Sequence, residues 1–259
     1  MKCTVGVIEA APELAYGTQD WSALAAKTKR QPVDVLVLNE LPFGLWLASS
    51  HIFDEAAWRK SLEVTKEALA HLGDFHAGTV LGSIPMQLED GRRVNAGFSW
   101  SKKSGLQIHH YKQHLPHGPG YWETTWTEAG PGGFNPFVLE NGLTVGFMIC
   151  TDIMFPEHAR SYGRQATDLI VCPRATPIMD AAMFHAALTM AATVSGCYVA
   201  SSNRGYTDSA GFSYEGAGMV ISPRAIDIAR TNPQDSYVVV DIDTDHVRAK
   251  QARYPIDVD

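Results

Sequence analysis

The sequence predicts an α/β fold on three observations. Short apolar runs rich in β-branched residues recur along the chain, and segments with helical periodicity lie between them. No repeat, low-complexity stretch or Pro/Gly linker divides the whole. Several of the runs are almost continuously apolar, as in strands covered on both faces.

Thr4–Ile8 opens the series. The N-terminal MKCTVGVIEA meets Glu9 after a short apolar run, so it reads as a first strand and not as a signal peptide. Helical spacing over Trp21–Lys29 leads to Val33–Leu38, and a second helical pattern, Glu55–Leu72, precedes Thr79–Ile84. A strand-rich middle around Val94–Tyr111 ends with the run Leu106–Tyr111. Thr144–Ile149 is followed by a helix over Pro156–Gln165, whose proline stands at the first turn, where its missing N–H costs nothing. Leu169–Cys172, a helix over Ala181–Ser195, Tyr198–Ser201 and Val238–Ile242 complete the alternation.

The 259 residues suffice to bury a sizeable core, and 45% apolar with 19% charged residues is globular composition. A net charge of −7 leaves no basic surplus to neutralise phosphates, which argues against nucleic acid or an anionic membrane as partner. The 23 residues between Asp180 and Arg204 carry no formal charge. Interrupted by His185, Thr189, Thr193, Ser195 and Gly196, they read as a helix followed by a strand and not as a membrane span. Four scattered cysteines form no CxxC pair or disulfide framework, and with no export signal the expected location is the cytoplasm.

Three residues stand where chemistry is expected. Cys150 follows the strand Leu143–Ile149 and precedes a helix start, the place where α/β sheets put ligands; amide donors and a cation there would favour the nucleophilic thiolate. The alternative is a small apolar core residue, which is the reading for Cys3, Cys172 and Cys197. Glu40 ends the buried run Val33–Leu38 and, desolvated, would act as a general base; otherwise it is a solvated cap. Lys112 closes the strand ending at Tyr111, as an edge charge or as a fixed cation for an oxyanion and a neighbouring thiol. Glu123 lies eleven positions further among aromatics.

Other motifs fail. No G-x-S-x-G elbow or Walker loop is present, and His109, His110, His114 and His117 lack the helical frame of a metal site. Asn203-Arg204-Gly205 follows a strand, either lining the same cleft or forming an ordinary turn.

In order, Leu-Asn-Glu40-Leu-Pro-Phe-Gly, Tyr-Lys112-Gln-His-Leu-Pro and Ile-Cys150-Thr-Asp152-Ile-Met-Phe-Pro-Glu157 resemble the nitrilase, or carbon–nitrogen hydrolase, superfamily. The likeness extends over nearly the whole chain, through Asn203-Arg204 to Arg253-Tyr-Pro255. It implies a four-layer α-β-β-α sandwich, one hydrolase domain over residues 1–259, and assembly into homodimers or larger homo-oligomers through the outer helices. It also implies roles: Cys150 as nucleophile, Glu40 as base, and Lys112 with the backbone N–H of Thr151 as oxyanion donors. Glu123 matches the family's second glutamate, which positions substrate and the proton network. No metal or organic cofactor is needed for that chemistry.

Cys150-Thr151-Asp152 looks like the amidase and carbamoylase side of the superfamily, whereas nitrilases resemble Cys-Trp-Glu. Carbamoylases acting on amino acids carry two arginines where Ile153 and Met154 stand here. Arg174 is a substitute carboxylate ligand or a structural arginine. Trp46, Tyr121, Trp122 and Trp126 suggest an aromatic-walled pocket or core packing, and Trp122 and Asn203 are carried as substrate contacts. The expected activity is hydrolysis of a linear carboxamide or N-carbamoyl amine, a small-molecule substrate. The rivals are nitrile hydrolysis, a His-based metallohydrolase, and a catalytically silent scaffold.

Overall fold

The computed structural model describes residues 1–208 and 211–253, so Tyr254 and Pro255 of the last motif lie outside the described residues. Its principal strands are β1 (Lys2–Ala10), β2 (Val33–Val37), β3 (Ala77–Gln87), β4 (Arg93–Ser101) and β5 (Gly105–Tyr111). The short β6 (His117–Gly118), β7 (Tyr121–Trp122) and β8 (Phe137–Val138) precede β9 (Thr144–Phe147), β10 (Leu169–Arg174) and β11 (Tyr198–Arg204). Last come β12 (Met219–Ile221), β13 (Asp227–Arg230) and β14 (Tyr237–Asp243). The helices are α1 (Gln19–Arg30), α2 (Glu55–Ala70), the single turn α3 (Glu123–Trp126), α4 (Pro156–Arg164), α5 (Ala181–Ser195) and α6 (Thr244–Gln251).

Hydrogen bonding runs in the order β5-β4-β3-β2-β1-β11-β10-β9-β8, with β14 on β1, β12 on β11 and β13 on β12. This path is two sheets. β1 pairs in parallel with β2 and along its length with antiparallel β14, from Lys2↔Asp243 to Ile8↔Tyr237. It meets β11 at its end, through Glu9↔Asn203 and Ala10↔Arg204. The inner faces of the two sheets bury Val5, Val7, Val35 and Val37 in one cluster with Val145, Phe147 and Val171. On the outside of the first sheet, Trp21 and Leu24 of α1 and Ala68 of α2 pack against Leu36, Leu38 and Val80. Ala159 and Tyr162 of α4 and Leu188 and Ala191 of α5 belong to the cluster over the second. The layers are α-β-β-α, as the resemblance implies.

Local chemistry sets the helix limits. Asp54 accepts from the N–H groups of Ala56 and Ala57 at 2.8 and 3.2 Å and starts α2. Gly196 ends α5 at φ +66°, a conformation that costs a residue without Cβ little. Ile178–Ser195 has the length and mean hydropathy (1.3) of a membrane-crossing helix, by composition alone. Here Phe184, Leu188, Ala191 and Ala192 of that stretch are buried, and the uncharged run divides into α5 and β11. Several expected bounds shift: β3 runs to Gln87 and β11 to Arg204, while β9 stops at Phe147, because Met148 and Ile149 lead into a turn.

Candidate active site

Four segments converge where the strands end. The chain beyond β2 continues pairing as far as Leu38, whose N–H donates to Leu81 O at 2.7 Å. It then turns at Leu41 (φ +45°), and Glu40 is left fully buried, its own N–H on the Arg174 carbonyl at 3.3 Å. Lys112 follows β5 and is likewise buried; its N–H donates to Asn95 O of β4 at 2.9 Å. The Lys112 ammonium donates to Glu40 Oε1 at 2.7 Å and to both oxygens of Glu123, at 2.8 and 2.7 Å. Three protons meet three carboxylate oxygens.

Cys150 begins a 3₁₀ turn, Cys150–Met154, at φ +48°. A non-glycine residue held there stores on the order of 1–3 kcal/mol of strain. Asp152 fixes the turn. Its Oδ2 accepts from Ile149 N (3.1 Å) and His110 Nε2 (3.0 Å), and its Oδ1 from the N–H groups of Gln113 (3.2 Å) and His114 (3.0 Å). One buried carboxylate thereby ties the cysteine turn to the segment that carries Lys112.

Electrostatics overturn the expected thiolate. Burial pushes the Cys150 thiol well above its ordinary range and Glu40 pushes it further, against the opposing pull of Lys112. That direction favours the neutral thiol. Glu123 is raised to about 8, by burial first and by the charge of Glu40, with Lys112 opposing. Lys112 is itself raised well above the usual lysine range: burial pulls it down, but Glu123 and Glu40 together outweigh that. One buried cation between two carboxylates favours the state in which one of them keeps a proton.

The structure brings Glu40, Lys112, Glu123 and Cys150 together and sorts the other candidates. Thr151 stands beside Cys150, its hydroxyl donating to His114 O. Arg174 is corrected to a structural role: fully buried, it donates to Ser201 Oγ (2.9 Å), Glu215 Oε2 (2.8 Å) and Ala217 O (2.7 Å), so its guanidinium is committed within the fold. Asn203 is corrected likewise. It accepts from Thr176 N (2.8 Å) and donates to Gly216 O (2.8 Å), clamping two loops. Trp122 packs against the rings of His117 and His51, while its neighbour Tyr121 lies near Cys150 and Glu40, both of which raise its phenol behind the larger effect of burial. Trp46 and Trp126 roof a cavity of about 40 Å³ that Asn95 and Glu123 also line. Their indole N–H groups are fixed on Gly120 O (2.9 Å) and Ser50 O (2.8 Å).

The four histidines go separate ways. His109 bonds Ser99, His110 bonds Asp152, His114 faces His158 and His117 bonds Thr124. Sequence reasoning passed over Asn95, whose Nδ2 donates to Glu40 Oε1 at 2.8 Å. An asparagine inside Arg93-Val-Asn-Ala-Gly-Phe98 was the available signal, since a buried amide in a strand needs a partner.

A cysteine, two glutamates and a fixed cation thus meet at the ends of strands from two facing sheets. The sequence profile of the carbon-nitrogen hydrolase family matches residues 4–252, and the chain belongs to that family. It is 24% identical over 257 residues to the deaminated glutathione amidase of Synechocystis sp. strain PCC 6803, covering 94% of this chain and 92% of that one. The fold superposes on a carbon-nitrogen hydrolase from Helicobacter pylori G27 with a TM-score of 0.85 at 18% identity, covering 99% of this chain and 94% of that one. It also matches an amidase from Nesterenkonia sp. AN1 (TM-score 0.77, 17% identity, 97% of each chain), a Glu-to-Gln mutant with acrylamide added to its active-site cysteine.

Proposed function

We propose that this carbon–nitrogen hydrolase cleaves a linear carboxamide or N-carbamoyl amine through a covalent intermediate on Cys150. The observation that carries the reading is the Lys112 ammonium held between Glu40 and Glu123 beside a cysteine on a strained turn. The cysteine adduct of the Nesterenkonia amidase and the amidase activity named for the Synechocystis relative support it by analogy.

Glu40 takes the proton from Cys150 as sulfur attacks the amide carbon, which spares the enzyme a free thiolate in a buried site. The oxyanion is met by Lys112 and the N–H of Thr151, the first residues of a helical turn having no in-turn acceptors for their amides. Glu40 returns the proton to nitrogen as the C–N bond breaks. It then deprotonates the water that cleaves the acyl or carbamoyl thioester, and the thiol is restored. Glu123 keeps Lys112 aimed throughout. Exposed Ile178, Met179, Met183 and Met190 at and before α5 support assembly of copies through that outer helix. Four unpaired, buried cysteines fit a reducing compartment such as the cytoplasm.

The test is ammonia release from a panel of primary amides, N-carbamoyl amines and acids, and nitriles, with Cys150→Ala beside the native protein. Release from an amide or carbamoyl class, absent in the variant, is the expected result. Turnover by the alanine variant would overturn the mechanism, and release from nitriles alone would move the reading to nitrile hydrolysis.

A further inference from the structure

Building on that reading, we propose that Asn95 is a positioning residue that selects which oxygen of Glu40 serves as the base. Oε1 of Glu40 receives two donors, Lys112 Nζ at 2.7 Å and Asn95 Nδ2 at 2.8 Å. Oε2 is buried and has no hydrogen-bond partner among the described residues. The carboxylate is thus divided into an oxygen whose lone pairs are engaged and one whose lone pairs are free for a proton. The amide is oriented without ambiguity, because its oxygen turned toward a carboxylate would place two acceptors face to face.

Asn95 acts on both partners at once. Its side chain holds Glu40, and its carbonyl accepts the Lys112 N–H at 2.9 Å, so one residue of β4 sets the distance between base and cation. It is 1% exposed, and no other side-chain amide donates to the Glu40 carboxylate among the described residues, Asn39 Nδ2 reaching only the Glu40 carbonyl at 3.1 Å. In the first step the Cys150 S–H bond breaks, its electron pair stays on sulfur, and the proton forms an O–H bond at Oε2. With Asn95 removed, Oε1 competes for that proton and the carboxylate is free to rotate.

The test uses Cys150 itself, and so needs no knowledge of the substrate. Iodoacetamide forms an S–C bond at the thiol, iodide leaves, and the proton passes to Glu40. Peptide mass spectrometry separates Cys150 from Cys3, Cys172 and Cys197. The ionisable groups on which the charge of Glu40 acts are Lys112 beyond β5, Glu123 of α3, Cys150, Cys172, Arg204, Tyr121 and Tyr214. The pH profile of alkylation in the native protein is the reference, and Glu40→Gln should erase the limb that depends on that side chain.

Asn95→Ala should move the limb upward by about one pH unit, since a lost hydrogen bond to the charged form makes it harder to ionise. Asn95→Asp keeps the size of the side chain and places a second carboxylate beside Glu40, so its limb should move further still. Variants that melt near the native temperature with the limb unmoved would overturn the proposal. Failure of both to fold would assign Asn95 to the fold and overturn it equally. Failure of the hydrolase reading shows differently: the limb would then survive Glu40→Gln in the native background.

Discussion

Lys112 donates to both oxygens of Glu123, at 2.8 and 2.7 Å, with no solvent reaching the ammonium. A flexible lysine is thereby held in one position before any substrate arrives. The cost of desolvating it is offset by two carboxylates from different segments.

Replacing Lys112 by methionine should leave Glu40 and Glu123 as unpaired buried acids. Removal of one partner of a buried pair costs about 3–5 kcal/mol. Loss of an oxyanion donor should also cut kcat on the order of a hundredfold or more. Thermal unfolding and ammonia release would measure both; a stable, active variant would refute the role given to Lys112.

Stability should depend on pH through Glu123. An unfolded glutamate titrates near 4.5, whereas this one is raised to about 8 in the fold. Between those values the native state binds more protons than the unfolded state, so this contribution is present below about 4.5 and is lost as pH rises through 8. Glu123→Gln, which keeps a neutral group beside Lys112, should flatten the decline. Parallel Tm-against-pH curves for the two proteins would rule the assignment out.

Asp152→Ala should loosen the cysteine turn. Four donors lose one buried acceptor, at a cost of roughly 3 kcal/mol or more. Activity should fall by more than the folded fraction does, because the turn at Cys150 loses its tie to the Lys112 segment. Circular dichroism melts compared with turnover at low temperature separate the two effects.

Arg174→Lys tests the structural assignment of that arginine. A lysine cannot reproduce the three bonds to Ser201, Glu215 and Ala217, and the loss should be on the order of 3 kcal/mol. The ratio of kcat/KM for carboxylated and uncharged amides should stay at its native value. A selective loss of carboxylated substrates would return Arg174 to the substrate site.

Much of this was legible in the sequence because it is local. Glu40, Lys112 and Cys150 each stand at the end of an apolar run, and their order along the chain carries the family resemblance. Asn95, Asp152 and the choice of Tyr121 over Trp122 were not legible as site features, because they depend on which strands become neighbours. Asn95 reaches Glu40 across 55 residues of sequence, and only the order β4-β3-β2 at the centre of a sheet brings them together. The thiol's charge state was misread for the same reason. A nearby cation was foreseen, but the depth at which the thiol is buried was not. Arg174 and Asn203 looked available because their partners, Glu215, Ala217 and Gly216, come later in a segment without periodicity.

Strand β1 pairs with β14 over the register Lys2↔Asp243 to Ile8↔Tyr237, so one strand waits on the ribosome for a partner made about 230 residues later. At about 5–20 residues per second, that wait is on the order of ten to fifty seconds. Throughout it the nascent chain carries a bare sheet edge, open to neighbouring chains as much as to its own. For this protein, slower elongation would lengthen exposure without helping the fold to close, and chaperone occupancy of the N-terminal half should last until β14 is free.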